Sequence, residues 1–229
     1  MNTLDHIAST SMFQGLPKEH HEELATVIED RVFKQGGLIF SEGDKGIGFY
    51  VVLSGRVKIF KLSMEGKEQI LHIFGPGEPV GEVAVFAGKN FPAHAEALED
   101  CRLLYFPRTA FMDLIQKNPS IALNMLSILS QRLLRFTSMI ENLSLKEVPG
   151  RLAAYLLYLS ETHEGAIDLS LDISKGQLSS VLGTIPETLS RIFTKMAKAG
   201  LIQLEGLRHI HILDRVGLEK LAGGDTRLY

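Results

Sequence analysis

The sequence predicts an α+β chain: an antiparallel β-roll (jelly roll), one long helix, and a small winged helix-turn-helix domain. Three observations predict it. Short apolar runs broken by glycine recur about every ten residues between positions 31 and 106. An apolar heptad seam follows them. Two short helical patterns joined by a glycine come after that. The expected domains are 1–118 for the roll, 119–148 for the long helix and 149–229 for the helix-turn-helix, and a chain of 229 residues can bury that many cores.

Leu4 to Ile28 reads as helical, interrupted near Gly15-Leu16-Pro17. The strand runs are Leu38–Phe40, Phe49–Leu53, Val57–Phe60, Gln69–Phe74, Val83–Phe86 and Arg102–Phe106. Between them lie Glu42-Gly43-Asp44, Ser54-Gly55, Glu65-Gly66-Lys67, Gly75-Pro76-Gly77 and Gly88-Lys89-Asn90, which carry turn chemistry. A roll of this size can enclose a small-molecule pocket.

Asn118-Pro119-Ser120 opens the long helix, with proline at its first position. Ala122, Leu126, Leu129, Leu133, Phe136, Ile140 and Leu143 keep a 4-3 spacing, with Arg132, Arg135 and Glu141 beside the seam. A seam of period 3.5 favours a partner helix, so the chain is expected to form a homodimer through Leu126, Leu129, Leu133, Phe136, Ile140 and Leu143. Val148-Pro149-Gly150 is expected to stop this helix and act as the hinge.

Arg151 to Ser160 is a third amphipathic pattern, with Leu152, Tyr155, Leu156 and Leu159 inward. Ser174 to Leu182 reads as the first helix of the DNA-binding motif, Gly183 as its turn, and Thr184 to Lys198 as the second. Leu189, Ile192, Phe193 and Met196 form an inner side. Glu187, Ser190, Arg191, Thr194, Lys195 and Lys198 form the outer one. Glu187, Ser190 and Arg191 share a face near the helix start, where recognition helices meet base edges. Arg forks onto guanine, Glu accepts from the cytosine amine, and Ser bonds a base or phosphate. The competing reading makes Thr184 and Glu187 a capping box. Leu204, Leu207, Ile210 and Ile212 flank a turn at Glu205-Gly206 and read as a wing. His209 and His211 alternate on it, with no third metal ligand evident.

Composition narrows the function classes. The net charge of −3 belongs to residues 1–148, and the rest balances, so any DNA footprint is small and local. No apolar run reaches the roughly 18 residues of a membrane span, and no signal-peptide pattern opens the chain, so a cytoplasmic protein without a membrane partner is expected. The single cysteine, Cys101, excludes an internal disulfide and a four-cysteine iron–sulfur cluster within one chain. It follows Glu99 and Asp100, which oppose thiolate formation. Without a nucleophile–base motif or a metal cluster, an enzyme is not expected.

Ile39-Phe40-Ser41-Glu42-Gly43-Asp44, Tyr50, Leu53-Ser54-Gly55, Val57 and Gly77-Glu78 leading to Gly81-Glu82 resemble the cyclic-nucleotide-binding β-roll. With the helix-turn-helix behind it, the chain from about 13 to 213 resembles the CRP/FNR superfamily of bacterial transcription regulators. The resemblance implies a parallel dimer helix, double-stranded DNA as ligand and RNA polymerase as a further partner. It implies base contacts by Glu187, Ser190 and Arg191, in the Glu-x-x-Ser-Arg pattern that FNR-like members use on TTGAT-type half-sites. Pro186 stands where CRP carries an arginine, which favours the FNR-like half-site. By resemblance Ser174, Lys175, Thr188 and Lys195 hold phosphates.

The effector is read the same way. Gly81 and Glu82 match the family's ribose pair, but its phosphate-binding Arg-Ser pair falls at Phe91-Pro92. A phosphate buried without its arginine is costly, so cyclic AMP is not expected. Asn90-Phe91-Pro92-Ala93 resembles the DNR/HcpR-like branch, associated with haem and nitric oxide. Haem is therefore the expected effector; the alternatives are a regulator of the same fold sensing another small apolar molecule or a cyclic nucleotide, or a ligand-binding module that recruits protein rather than DNA. Met64, His72, His94 and, on the long helix, Met139 are the candidate ligands.

Overall fold

The structure, a computed structural model, describes residues 10–13, 17, 24–26, 28–206, 208–226 and 228. Most of the helix expected over Leu4–Ile28 lies outside the described residues, as does Leu207. The chain divides into two compact units, the first ending at Leu133 and the second beginning at Leu134.

The first unit is a pair of four-stranded antiparallel sheets. One contains β1 (Glu29–Phe33), β8 (Cys101–Pro107), β3 (Gly48–Ser54) and β6 (Pro79–Val80), in that order. The other orders β2 (Leu38–Phe40), β7 (His94–Ala97), β4 (Val57–Leu62) and β5 (Glu68–Phe74). Tyr50, Val52, Leu103 and Tyr105 from the first sheet pack with Phe40, Val57, Phe74, Ala95 and Ala97 from the second. The alternate residues Phe49, Val51, Leu104 and Phe106 face helices. These are α2 (Arg108–Lys117), through Phe111 and Leu114, and the start of α3 (Pro119–Leu145), through Ile121 and Met125. β3 is covered on both faces, which is why it reads as a continuous apolar run.

One expected strand is a helix. Val83–Phe86 lies in α1 (Glu82–Ala87), bracketed by Gly81 and Gly88, both left-handed with φ of 83° and 62°. A four-residue apolar run does not distinguish strand from helix, and these two glycines set the boundaries. β1 and β7 fall outside the apolar runs, because charged or polar residues interrupt their sequences.

The second unit holds the rest of α3, α4 (Val148–Thr162), α5 (Lys175–Val181), α6 (Pro186–Lys198) and α7 (Arg215–Gly223). A sheet orders β10 (Ile202–Glu205), β11 (His209–Ile212) and β9 (Asp168–Ser170). The helix break falls at Lys146-Glu147. Pro149 and Gly150 sit in the first turn of α4, where proline needs no amide partner, so the expected hinge at 148–150 is corrected by two residues.

Candidate nucleic-acid interface and effector pocket

Local chemistry builds the helix-turn-helix. Ser174 caps α5 in a reciprocal box: its Oγ accepts from the Gln177 amide at 3.1 Å, and Gln177 Oε1 accepts from the Ser174 amide at 2.8 Å. Gly183, φ 66°, makes the turn. α6 is capped by Ile185 with no side-chain bond, so the capping box read at Thr184 and Glu187 does not form. Glu187 is exposed and not committed to the helix terminus.

Leu189, Ile192, Phe193 and Met196 are buried. Glu187, Ser190, Arg191, Thr194, Lys195 and Lys198 lie on the opposite side, and all six are exposed. Arg191 Nη2 donates to Thr188 Oγ1 at 3.2 Å, one turn back, which orients the guanidinium. The Lys175 ammonium lies 5.2 Å from the Phe193 ring centroid, tying α5 to α6 beside the same face. The wing hairpin forms as expected, and His211 Nδ1 lies 2.5 Å from Asp168 Oδ1 on β9. No group of three or more His, Cys, Asp or Glu suited to a metal occurs among the described residues.

In α3, Leu126, Leu133, Phe136 and Ile140 are exposed, and Leu129 and Leu143 half-buried. The seam thus presents apolar side chains to solvent. Arg132, read as lying beside it, is buried instead. Its Nη1 bonds the Glu82 carboxylate, its Nη2 donates to the Pro79 carbonyl at 2.5 Å, and its guanidinium lies 4.5 Å from the Phe74 ring centroid. Nothing in local spacing links two residues so far apart in the chain. A glutamate at a buried glycine turn needs a cation, and that need is the one signal the sequence held.

Around Gly81 the roll is closed by aromatic rings. Phe91 stacks on Phe40 with centroids 3.8 Å apart. A Cβ on Gly81 would lie 2.8 Å from Phe91 and 3.1 Å from Phe40, so the missing side chain makes room for that stack. Phe91 and Pro92 supply no cation at their own positions. Glu82, 1% exposed, already has Arg132 as its partner.

The four residues named as haem ligands do not form a set. Met64 is fully exposed on the turn after β4, because Ser63-Met64-Glu65-Gly66 reverses the hairpin outside the roll, and its placement in the pocket is corrected. His94 alternates with the inward Ala95, stacks on Phe60, and accepts from the Glu42 amide at 3.2 Å. It therefore lies on the outer face and is also corrected. His72 is two residues from the inward Phe74 and edges against it, with Nε2 3.8 Å from Glu78 Oε1. His72 and His94 are thus on opposite faces of one sheet and cannot share an iron. Met139 is half-buried on α3. Cys101 is buried 3.2 Å from the carbonyls of Arg56 and Glu99, and burial pushes its thiol up.

Residues 30–118 match the cyclic nucleotide-binding domain, and residues 150–221 the Crp-like helix-turn-helix domain. That pairing defines a transcription regulator with a ligand-type roll and a DNA-binding helix-turn-helix. The cyclic AMP receptor protein of Thermus thermophilus is 32% identical over 213 residues, covering 93% of this chain and 97% of its own. The transcriptional activator protein anr of Pseudomonas aeruginosa is 29% identical over 242 residues, covering 95% and 98%. A CooA mutant from Carboxydothermus hydrogenoformans has the same fold, with a TM-score of 0.78 at 21% identity over 97% of this chain and 96% of that one. The chain belongs to the CRP/FNR family of transcription regulators. Among the described residues no helix is long and apolar enough to cross a membrane.

Proposed function

We propose that the protein acts as a homodimer on a palindromic site with TTGAT-type half-sites, under control of a small effector held in the roll. The outer face of α6 carries this reading: Glu187, Ser190 and Arg191 are exposed together, and Glu187 is free of any capping duty. Arg191 forks onto guanine, Glu187 accepts from cytosine, and Ser190 bonds an adjacent base. Ser174, Lys175, Thr188 and Lys195 hold phosphates. Ser174 Oγ accepts its capping bond and keeps its hydroxyl proton to donate. The exposed seam of α3 supports the dimer, and RNA polymerase is the further partner expected of such a regulator.

The effector best supported is a small apolar molecule. A cyclic phosphate would meet Phe91 and Pro92 where it needs a cation. This chain therefore parts from the Thermus relative named for cyclic AMP, despite their 32% identity. Haem loses support because its candidate ligands do not converge.

Fluorescence anisotropy with a duplex carrying two inverted TTGAT half-sites, against a scrambled duplex, tests the DNA reading. Preference for the palindrome is expected at about 10³-fold or more at physiological salt. Equal affinity for both duplexes would sink it. A haem titration with the same protein is expected to give no saturable Soret band. A one-per-chain band lost in His72→Ala would restore haem as the effector.

A further inference from the structure

Arg151, in the first turn of α4, donates to three backbone carbonyls at once. Its Nε reaches Lys146, its Nη2 Leu143 and its Nη1 Leu182, each at 2.9 Å. Leu143 and Lys146 belong to the end of α3 and the break that follows it. Leu182 caps α5 and directly precedes Gly183, the turn into α6. The last carbonyls of a helix have no partner within it and carry the negative end of its dipole. Two helix ends distant in sequence therefore converge on one cation. The guanidinium satisfies both because its donors radiate from a rigid plane, whereas a lysine ammonium is a point on a flexible stem.

The turn that carries Arg151 is itself held. The Arg151 amide donates to the Glu147 carbonyl at 3.0 Å, and a Cβ on the neighbouring Gly150 would lie 3.0 Å from the Leu221 carbonyl of α7. Beyond the tie, the Thr184 amide donates to the Ser179 carbonyl at 2.9 Å, so the turn after Leu182 is bonded back to α5. A movement of the last turn of α3 thus has a continuous bonded route to the start of α6: Leu143 and Lys146, Arg151, Leu182, then Gly183 and Thr184.

We propose that Arg151 is a positioning residue for DNA reading, a three-way tie through which the end of the long helix sets the turn that aims the base-contacting face of α6. This rests on the reading of α6 as the DNA-reading helix. Hydrogen bonds weaken steeply with distance and angle, so a shift of α3 either carries Leu182 with it or leaves a carbonyl without its donor.

The test uses the full-length protein with Arg151→Lys and Arg151→Gln. Hydrogen exchange on the free protein is expected to rise together at Lys146-Glu147 and at Gly183-Thr184-Ile185, while Leu189–Met196 stays protected. Affinity for the two-half-site duplex is expected to fall about tenfold in Arg151→Lys, with dimer mass and far-ultraviolet circular dichroism unchanged. Exchange that rises at only one of the two ends overturns the proposal, as does unchanged DNA affinity in a variant where both ends have loosened. If Arg151→Gln fails to fold, Arg151→Lys, which keeps the charge, carries the test. The exchange result needs no DNA, so failure of the half-site assignment and failure of the tie are separate outcomes.

Discussion

Arg132 closes on Glu82 inside the first unit, fifty residues away along the chain, with both side chains nearly removed from solvent. The pair fastens α3 to the helical turn after Gly81. It also occupies the carboxylate that the family resemblance assigns to a ribose. The roll has completed this corner with its own residues: Arg132 for the charge, and Phe91 on Phe40 for the volume.

Breaking one partner leaves a buried charge unpaired, which costs about 3–5 kcal/mol. Glu82→Gln and Arg132→Met are each expected to destabilise the protein by that order in urea denaturation. The double variant is expected to cost clearly less than the two singles together, because no unpaired charge remains. Additive losses would mean that the two side chains stabilise the fold separately.

Glu78 gives the pH dependence a definite sign. Burial pushes its carboxyl up, but the His72 ring, the Gly75 amide at 2.8 Å and the Arg132 charge outweigh burial, and the carboxyl sits below its ordinary range. A depressed carboxyl contributes stability that is present above its unfolded pKa of about 4.3 and is lost as pH falls through the folded value. Thermal unfolding of Glu78→Gln is expected to flatten the acid limb below about pH 4.5 relative to wild type. Parallel curves would show that Glu78 titrates alike in both states.

How much of this was legible in the sequence follows from the range of each interaction. The buried and exposed sides of α6 follow from helical period, and Leu189, Ile192, Phe193 and Met196 are buried as that period requires. Local turn chemistry placed most hairpins. It failed at Val83–Phe86, where four apolar residues fit either period and two left-handed glycines decide for a helix. It failed again for the haem candidates. Whether His72 or His94 faces inward depends on strand register, and a slip of one residue reverses it. β4 carries such an irregularity against β5, between Ile59 and Phe60, and these two residues pair with His72 and His94. The Arg132–Glu82 and Arg151–Leu182 contacts join positions whose proximity only the folded chain creates.

The exposed seam of α3 predicts an association that fails when it is charged. Leu133 is 67% and Ile140 64% exposed in the single chain. Burying such a side chain contributes roughly 1.5–3 kcal/mol. Leu133→Glu combined with Ile140→Glu is expected to weaken the dimer by at least about two orders of magnitude. Sedimentation velocity should show monomer at micromolar concentration, with the circular dichroism of both units retained. A variant that stays dimeric would place the interface elsewhere.

Arg191 and Lys195 lie on one helix face but are expected to fail in different ways. Arg191→Ala removes a bidentate guanine contact, so it should cost roughly 1–3 kcal/mol on the palindrome and relax selectivity at one base pair of each half-site. Lys195→Ala removes a phosphate partner. It should weaken palindromic and scrambled duplexes alike and reduce the slope of log affinity against log salt by about 1 for each phosphate no longer neutralised. The Thr188 hydroxyl that orients Arg191 gives a third arm: Thr188→Val should lose part of the Arg191 selectivity if that 3.2 Å bond persists on DNA. Anisotropy titrations at three salt concentrations, with base substitutions walked through one half-site, separate these outcomes. If Arg191→Ala binds every sequence less well by one common factor, Arg191 is a phosphate ligand and the base reading passes to Glu187 and Ser190.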